Sequence, residues 1–182
     1  MSTVDTLAKT KWAIDPTHTE VQFKVKHLVI STVTGTFNSF SGSVEAESDD
    51  FANAKVEFSI DATSIDTNNA DRDGHLKGED FFNVAKYPTL TFKEGVLKKI
   101  SSDAYKLTGK LTIRDVTQTV DLDVEHGGTV KDPWGNTKAG FELNGKINRK
   151  DFGLTWNALT EAGGMVVGED IKLHINVELA KI

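Results

Sequence analysis

Apolar residues recur at every second position along much of this chain, and few folds accommodate such a pattern. Val21, Phe23 and Val25 alternate with polar residues, and positions 56–60 and 171–179 repeat the alternation. Successive side chains of a β-strand point to opposite faces of its sheet. Each run therefore predicts an antiparallel strand with one apolar face and one polar face.

The number of such runs predicts an all-β chain of eight to ten strands. Further strong runs lie at 107–113, 120–124 and 141–147, and weaker ones at 12–14, 36–46, 89–99 and 152–156. Clusters of Gly, Asn and Asp at 125–128 and 132–136 are typical of turns. No linker or repeat divides the 182 residues, so we expect one domain over residues 12–182 after a flexible tail at 1–11. An up-and-down barrel or a sandwich fits this pattern.

Residues 63–83 interrupt the alternation and predict a short helical lid. A capping residue at 67–69 could begin a helix that ends near Lys77. Because this polar segment also carries large apolar side chains, we expect it to cover one end of the sheet structure. These side chains are Leu76, Phe81 and Phe82.

Composition and charge exclude several classes of protein. The chain has no cysteine, which excludes disulfide scaffolds and thiol-based catalytic or metal sites. Its 27 acidic and 21 basic residues give a net charge of −6, which argues against nucleic-acid binding and electrostatic adhesion to membranes. No apolar run approaches the length of a membrane span, so we expect no stable membrane insertion. Residues 1–11 do not resemble a signal peptide, which predicts a cytoplasmic protein, or a periplasmic one if an export signal was trimmed.

The sequence carries no strong catalytic motif, but one cluster of titratable residues stands out. Asp71, Asp73 and His75 lie within about one helical turn, and a metal requires two or more such side chains to converge. A metal-dependent enzyme is therefore one hypothesis. Ion pairing between these aspartates and Arg72 explains the cluster equally well.

Three other histidines have different expected surroundings. His27 and His126 fall on the apolar phase of their strands. A histidine at such a position either packs in the core or offers a polar contact to a ligand. His18 precedes a strand, and we expect it to pair with Asp15 or Thr19 in a local turn.

Several segments, taken in order, resemble the YceI-like, polyisoprenoid-binding family. They are WAIDPTHTEVQFKVKH at 12–27, ID at 65–66, RDGHL at 72–76, DFF at 80–82, YP at 87–88, TF at 91–92, GKLTIR at 109–114, RKDFGLTW at 149–156, GG at 163–164 and VGE at 167–169. The resemblance covers residues 12–180. It implies a lipocalin-like, extended antiparallel up-and-down β-barrel of about eight strands around an elongated apolar tunnel.

The same resemblance implies non-catalytic binding, sequestration or transport of a long-chain lipid such as a prenyl chain, a quinone or a fatty amide, with no cofactor and no metal. We expect the tunnel wall to include Phe23, Val25, Phe58, Ile65, Leu76, Phe81, Phe82, Phe92, Leu111, Ile113, Phe141, Ile147, Phe152 and Trp156. The residues expected to contact the ligand headgroup are His27, Arg72, His75 and Arg149. A homodimer is a further hypothesis.

Each of these assignments has an alternative. Arg72 could instead pair with Asp73, and Arg149 with Asp151. The aromatic residues could belong to an ordinary packed core, and small inward residues such as Gly109 could accommodate large neighbours instead of leaving volume for a ligand. A completely filled core would make the chain a stress or interaction protein that binds nothing small.

Overall fold

The computed structural model describes residues 9–47, 50–157 and 166–182. Its strands are β1 (Thr10–Ile14), β2 (Glu20–His27), β3 (Ser31–Phe37), β4 (Phe40–Ala46), β5 (Ala54–Asp61), β6 (Ile65–Asp66), β7 (Thr89–Lys99), β8 (Ala104–Ile113), β9 (Val116–Lys131), β10 (Thr137–Asn148) and β11 (Val167–Lys181). Its helix is α1 (Ala70–Lys77), and short 3-10 helices span Pro16–His18, Ala62–Ser64 and Arg149–Phe152. Residues 1–8 of the expected tail and the glycine pair at 163–164 lie outside the described residues.

Eight strands close into a barrel, and the paired strands of the described residues all run antiparallel. The order around the ring is β1, β4, β5, β7, β8, β9, β10 and β11, and β11 pairs back to β1. β2, β3 and β6 continue the sheet beside β11. β1 and β2 both pair with β11, because the 3-10 turn at Pro16–His18 divides what would be one long strand. The predicted eight-stranded antiparallel barrel is confirmed.

Strand β7 carries a β-bulge that changes which of its residues face the interior. Its register with the neighbouring strands shifts across Glu94 and Gly95, and Glu94 has a left-handed φ of 55°. Leu90 and Phe92 are buried before the bulge and Leu97 after it, so the inward positions change from even to odd numbers. The alternation at 89–99 is weak in the sequence for this reason.

Two local predictions are wrong. Residues 125–128, expected as a turn, lie inside β9, where an irregularity in pairing places His126 opposite Phe141. Residues 152–156, expected as a weak strand, do not form one: Phe152 ends a 3-10 helix, and residues 154–157 have no regular secondary structure. Glycines and short alternations are local signals, whereas pairing with neighbouring strands decides which segments extend.

A short helix interrupts the strands where the sequence predicts one. α1 begins after Asn69, whose side chain accepts a hydrogen bond of 2.9 Å from the backbone N–H of Arg72. It ends at Lys77, and the chain then turns at Gly78. We call residues 67–84 the lid. No helix of the described residues is long and apolar enough to cross a membrane.

The lid packs against one end of the barrel through an aromatic contact and an arginine. The ring of Phe82 lies 5.8 Å from the ring of Phe37 on β3, edge to face. Arg114, between β8 and β9, donates from Nη1 to the carbonyl oxygens of Glu79 and Phe81, both at 3.3 Å. No local pattern indicates this role for Arg114, since the lid is distant from it along the chain.

The buried apolar residues form a cluster at each end of the barrel. The first includes Trp12, Phe51 and Tyr105, and we call this the Trp12 end. The second, beneath the lid, includes Phe37 and Phe152, and we call this the lid end. Partly buried side chains from most strands connect the two clusters along the interior.

Candidate functional site

The interior of the barrel contains a cavity of about 220 Å³. Residues of both ends line it, from Phe51 at the Trp12 end to Phe82 and Val167 at the lid end. Of its thirty-six lining residues, thirty-two are apolar. An apolar cavity of about 150 Å³ holds benzene and stays dry when empty. This cavity can therefore hold an apolar group larger than benzene without any exchange of hydrogen bonds.

Arg149 is the one polar residue of the described lining whose side chain belongs to the interior. The strand alternation of inward and outward positions assigns the other three to the outer face. The other polar lining residues are Gln22, Ser43 and Glu57. Each of the three lies next to inward-facing residues on its strand, so its side chain is assigned to the outer face. The cavity therefore combines long apolar walls with one cation.

The guanidinium of Arg149 is buried and bonded to backbone carbonyls. Its side chain, on a residue only 3% exposed, donates from Nε to Gly168 at 2.8 Å, from Nη1 to Leu154 at 2.7 Å and Trp156 at 2.8 Å, and from Nη2 to Val167 at 3.4 Å. Within the described residues, no carboxylate lies within 4.0 Å of it. The alternative in which Arg149 pairs with Asp151 is therefore wrong.

Two consequences follow for the chemistry of Arg149. Burial lowers the pKa of the guanidinium, while Glu169 acts in the opposite direction, and an arginine remains charged in either case. A guanidinium has five N–H donors, and the four bonds to carbonyl oxygens leave one donor on Nη2 without a partner among the described residues. Of the four expected headgroup residues, Arg149 is the one that lines the cavity.

Arg72 lies outside the cavity lining and holds the start of the lid. It donates from Nε to Thr67 Oγ1 at 2.7 Å and from Nη2 to the Thr67 carbonyl at 2.5 Å. Asp73 accepts from the backbone N–H and the hydroxyl of the same threonine, at 2.9 and 2.5 Å. Instead of pairing directly, Arg72 and Asp73 therefore both bind the buried Thr67.

His75 also lies outside the lining and joins the lid to the segment after the 3-10 helix. Its ring is edge to face with Trp156 at 4.7 Å and with Phe81 at 5.1 Å. Its Nε2 lies 2.9 Å from Oδ2 of Asp80. We call His75, Phe81 and Trp156 the aromatic latch.

The alternative hypothesis of a metal cluster at Asp71, Asp73 and His75 is wrong for the described residues. Asp73 binds Thr67 and His75 faces Asp80, because residues two apart on a helix point to different sides. Asp71 shares a helix face with His75, but it is not among the acidic and histidine groups that converge in the described residues. In the part of the chain that the structure describes, the acidic and histidine side chains that do converge are Asp15, His18 and Glu178, on the outside of the barrel.

The Asp15 group is an ion-pair network. His18 Nδ1 lies 3.0 Å from Asp15 Oδ2, which confirms the predicted local pair, and Lys138 Nζ lies 3.0 Å from the same oxygen. Hydrogen bonds from Thr17, His18 and Lys138 hold the pKa of Asp15 well below its usual range. The pKa of His18 is raised, chiefly by its bond to Asp15 and then by the charge of Glu178. Lys138 and His18 thus pair with the carboxylates of Asp15 and Glu178, and these four side chains form one ion-pair network.

The structure brings most of the expected wall residues to the cavity. Eleven line it, namely Phe23, Val25, Phe58, Leu76, Phe81, Phe82, Phe92, Leu111, Ile113, Phe141 and Ile147. Ile65 and Phe152 do not, because they are buried in the packed cluster of the lid end. Trp156 is half-buried in the aromatic latch.

The alternation of apolar positions could have located further lining residues on the strands. One lining residue lies in a loop, where no such pattern exists. Leu143 lies in phase with the expected wall residues Phe141 and Ile147 on β10, and it lines the cavity. Leu122 and Ile175 lie on the apolar phase of β9 and β11, and they also line the cavity. Phe51 also lines it, from the loop between β4 and β5. A phenylalanine in a polar loop has no periodicity that would assign it to the interior.

Small inward residues do not create the volume. A methyl group added at Gly109 would meet the ring of Phe92, and one added at Gly145 would meet the side chain of Leu122. These glycines therefore accommodate larger neighbours.

The two histidines on the apolar phase have different surroundings. His27 is half-buried at the end of β2, opposite Ser31 and Val167, and is not part of the lining. His126 stacks on Phe141 at 4.6 Å, and its Nε2 lies 3.1 Å from Thr129 Oγ1. Burial lowers the pKa of His126. His126 is therefore a packing residue at the Trp12 end.

Comparisons with known proteins agree with this architecture. A UPF0312 protein of Yersinia pestis (strain Pestoides F) is 41% identical over 161 residues, which cover 88% of this chain and 80% of that protein. A Campylobacter jejuni YceI protein of known structure is 38% identical, with a TM-score of 0.71 over 86% of this chain and 90% of that one. A polyisoprenoid binding domain from Saccharophagus degradans, 16% identical, has the same fold, with a TM-score of 0.65 over 93% of this chain and 97% of that one.

A match to the family model extends from the first barrel strand to the last. The model of the YceI-like domain matches residues 12–179. These residues include the lid, Arg149 and the whole described lining of the cavity. The match and the identity to the relatives lead to one conclusion: the chain belongs to the YceI-like family.

Proposed function

We propose that this protein binds a long-chain amphiphile, of the isoprenoid, quinone or fatty amide class, and sequesters or carries it unchanged. The observation that carries the proposal is the apolar cavity, which is lined by residues of both barrel ends. The fold it shares with the Saccharophagus degradans domain, whose described ligand is a polyisoprenoid, supports the same ligand class.

Burial of an apolar chain supplies enough free energy for useful affinity. Each buried methylene contributes about 0.8 kcal/mol, so ten contribute about 8 kcal/mol before the costs of association. Apolar walls distinguish poorly between chains of similar width. Selectivity for a ligand class therefore depends on its polar headgroup.

Arg149 is the proposed contact for that headgroup. Its charge is balanced by carbonyl dipoles, and one Nη2 donor at the lid end has no partner in the part of the chain that the structure describes. A headgroup with an acceptor oxygen, such as a quinone carbonyl, an amide carbonyl or a phosphate, satisfies this donor. An aliphatic chain without such a group would leave it unsatisfied.

The lining favours a binding protein over an enzyme. General acid–base catalysis requires a group whose pKa lies near the working pH. Among the described lining residues, Arg149 is the titratable group that faces the interior, and a guanidinium does not exchange its proton near neutral pH. The remaining walls offer only apolar contact.

Extraction of the purified protein into organic solvent, followed by mass spectrometry, tests the proposal. We expect the wild-type protein to yield one long-chain compound in stoichiometric amount, or to take up added geranylgeraniol. Phe58→Arg places a charge inside the cavity and should reduce uptake at least tenfold. Ser59→Arg, one position along β5 on the outer face, is the matched control and should retain uptake.

A second variant separates loss of the site from loss of the fold. Val120→Phe fills part of the cavity with an apolar side chain and is expected to reduce uptake while a cooperative thermal transition remains. An empty extract from wild-type protein that also fails to take up geranylgeraniol would show a filled-core protein instead. Normal uptake by folded Phe58→Arg would contradict the assignment of the cavity as the site.

A further inference from the structure

Three consecutive apolar residues are exposed at the tip of the β2–β3 hairpin. Leu28, Val29 and Ile30 join the two strands and are 37%, 73% and 85% exposed. An exposed run of this kind lowers solubility and contributes nothing to the core. Its presence requires a reason other than folding.

The conformation of the turn does not supply that reason. Leu28 and Val29 have left-handed φ values of 53° and 66°. Gly, Asn and Asp are the residues that hairpin turns favour at such positions. A β-branched valine is an outlier there and destabilises the turn.

A group of lysines lies on the outer face beside this tip. Lys146, Lys172 and Lys24 are directly opposite one another across β10, β11 and β2, and Lys26 follows on the same face. Like charges placed opposite in a sheet are destabilising. Lys146 lies 3.7 Å from Asp170, whereas no carboxylate among the described residues lies within 4.0 Å of the other three amines.

The tip and the lysines flank the lid end of the cavity. The backbone N–H of Leu28 donates to the carbonyl of Val166 at 2.9 Å. Val25 and Val167, just below the tip, line the cavity. The carbonyl of Val167 accepts a hydrogen bond from Arg149. The hairpin is thus continuous with the walls at the end where the proposed headgroup would lie.

We propose that this hairpin docks on the surface of an anionic lipid bilayer. Leu28, Val29 and Ile30 would enter the boundary between headgroups and acyl chains, while Lys24, Lys26 and Lys172, which pair with no described carboxylate, contact lipid phosphates. An apolar tip flanked by cations is the combination that binds anionic membrane surfaces. The net charge of −6 belongs to the whole chain, and the docking surface carries the opposite charge locally.

Docking would place the lid end against the bilayer, so that a lipid passes between membrane and cavity without crossing water. This role in exchange rests on the proposed function, but the docking itself does not. Vesicle binding and ligand content are therefore measured separately, on the same protein preparations.

The test is sedimentation with vesicles of phosphatidylcholine and phosphatidylglycerol, compared with vesicles of phosphatidylcholine alone. We expect wild-type protein to bind the anionic vesicles and to be released at about 1 M NaCl, where the screening length is about 3 Å. The double variant Val29→Asn/Ile30→Thr should bind at least about tenfold more weakly. Its asparagine suits the left-handed turn, so we expect no loss of thermal stability.

The opposite hairpin provides a matched control. Val130 and Trp134 are 65% and 83% exposed at the Trp12 end, and Val130→Thr/Trp134→Ser should leave vesicle binding unchanged. Lys24→Gln and Lys172→Gln should each weaken binding about fivefold.

Several outcomes would overturn the proposal. One is equal binding to neutral and anionic vesicles, and another is unchanged binding by the Val29→Asn/Ile30→Thr variant. A third is that these substitutions change only the oligomeric state in sedimentation velocity, which would make the tip a contact between protein copies. Vesicle binding by a protein that has an empty extract and also takes up no geranylgeraniol would support docking and contradict the proposed lipid-binding function.

Discussion

His126 shows how one polar residue can belong to an apolar cluster. Its ring stacks on Phe141 and lies edge to face with Phe51 at 5.5 Å. Thr129 Oγ1 lies within hydrogen-bond distance of its Nε2. These contacts suit a neutral imidazole, and burial accordingly lowers the pKa of His126.

We expect this residue to make the fold less stable in mild acid. The folded state binds a proton at His126 only below the ordinary histidine pKa of about 6.5. The unfolded chain therefore binds the proton first, and the free energy of unfolding falls as the pH decreases through that value. Urea unfolding at a series of pH values measures this slope.

His126→Gln should reduce the slope below about pH 6.5, and His174→Gln is the control. His174 lies on the outer face, where its Nδ1 is 2.6 Å from Asn144 Oδ1. The raised pKa of His18 acts in the opposite direction, because its contribution is present in acid and is lost as the pH rises through the folded pKa. An unchanged slope in His126→Gln would contradict the assignment.

For single residues, the alternation of apolar and polar positions predicts which side chains are buried. It does not predict the hydrogen-bond partners of polar side chains. Phe58 and Phe141 could be assigned to the interior because each repeats the phase of its strand. The partners of Arg149 could not be predicted, since they are carbonyl groups at 154–168 that come together only when β11 pairs with β10. A nearby carboxylate in the sequence, Asp151, gave the wrong partner.

The lid is the element whose contacts determine access to the cavity. Leu76 and Phe82 line the cavity from above, but no residue of α1 is fully buried. The rest of the lid is attached by Phe81, which is buried, by the packing of Phe82 and Val84 against the lid end, and by the aromatic latch and Arg114. An element without fully buried residues, such as α1, opens at lower free-energy cost than the barrel strands.

Trp156→Ala should open the lid more often. It removes the contacts of Trp156 with His75 and Phe81, and aromatic pairs contribute about 0.5–1.5 kcal/mol each beyond burial. We expect a bound fluorescent fatty amide to dissociate about tenfold faster in stopped-flow measurements. Trp134→Ala, which removes an exposed ring, should leave the rate unchanged. Equal rates in both variants would show that the latch does not control exchange.

The strands could be predicted from the sequence, except where hydrogen bonding to a neighbouring strand overrides the local pattern of apolar residues and glycines. The bulge at Glu94 and Gly95 weakens the signal of β7, and Gly127 and Gly128 suggest a turn although β9 continues to Lys131. The cap at Asn69 is local, so the helix could be placed closely from the sequence.

For the whole molecule, ligand and barrel stabilise each other. A ligand that binds only the folded state, at one hundred times its Kd, adds about 2.7 kcal/mol to the free energy of unfolding. For a chain of this size we expect delipidation to lower the Tm by about 5–10 °C, and returned ligand to restore it. Calorimetry measures the shift, and Phe58→Arg should show none on addition of ligand. A Tm that is the same with and without ligand would argue against binding in the interior.

Packed side chains close the barrel at the Trp12 end. Trp12, Phe51 and Tyr105 are 4%, 1% and 2% exposed, and the Tyr105 hydroxyl donates to the carbonyl of Asp50. A chain that enters beneath the lid stops at these rings, and methylenes beyond that depth would remain in water. The depth of the barrel thus limits how much of a chain is buried. Affinity should rise with chain length until the chain reaches these rings, and then level off.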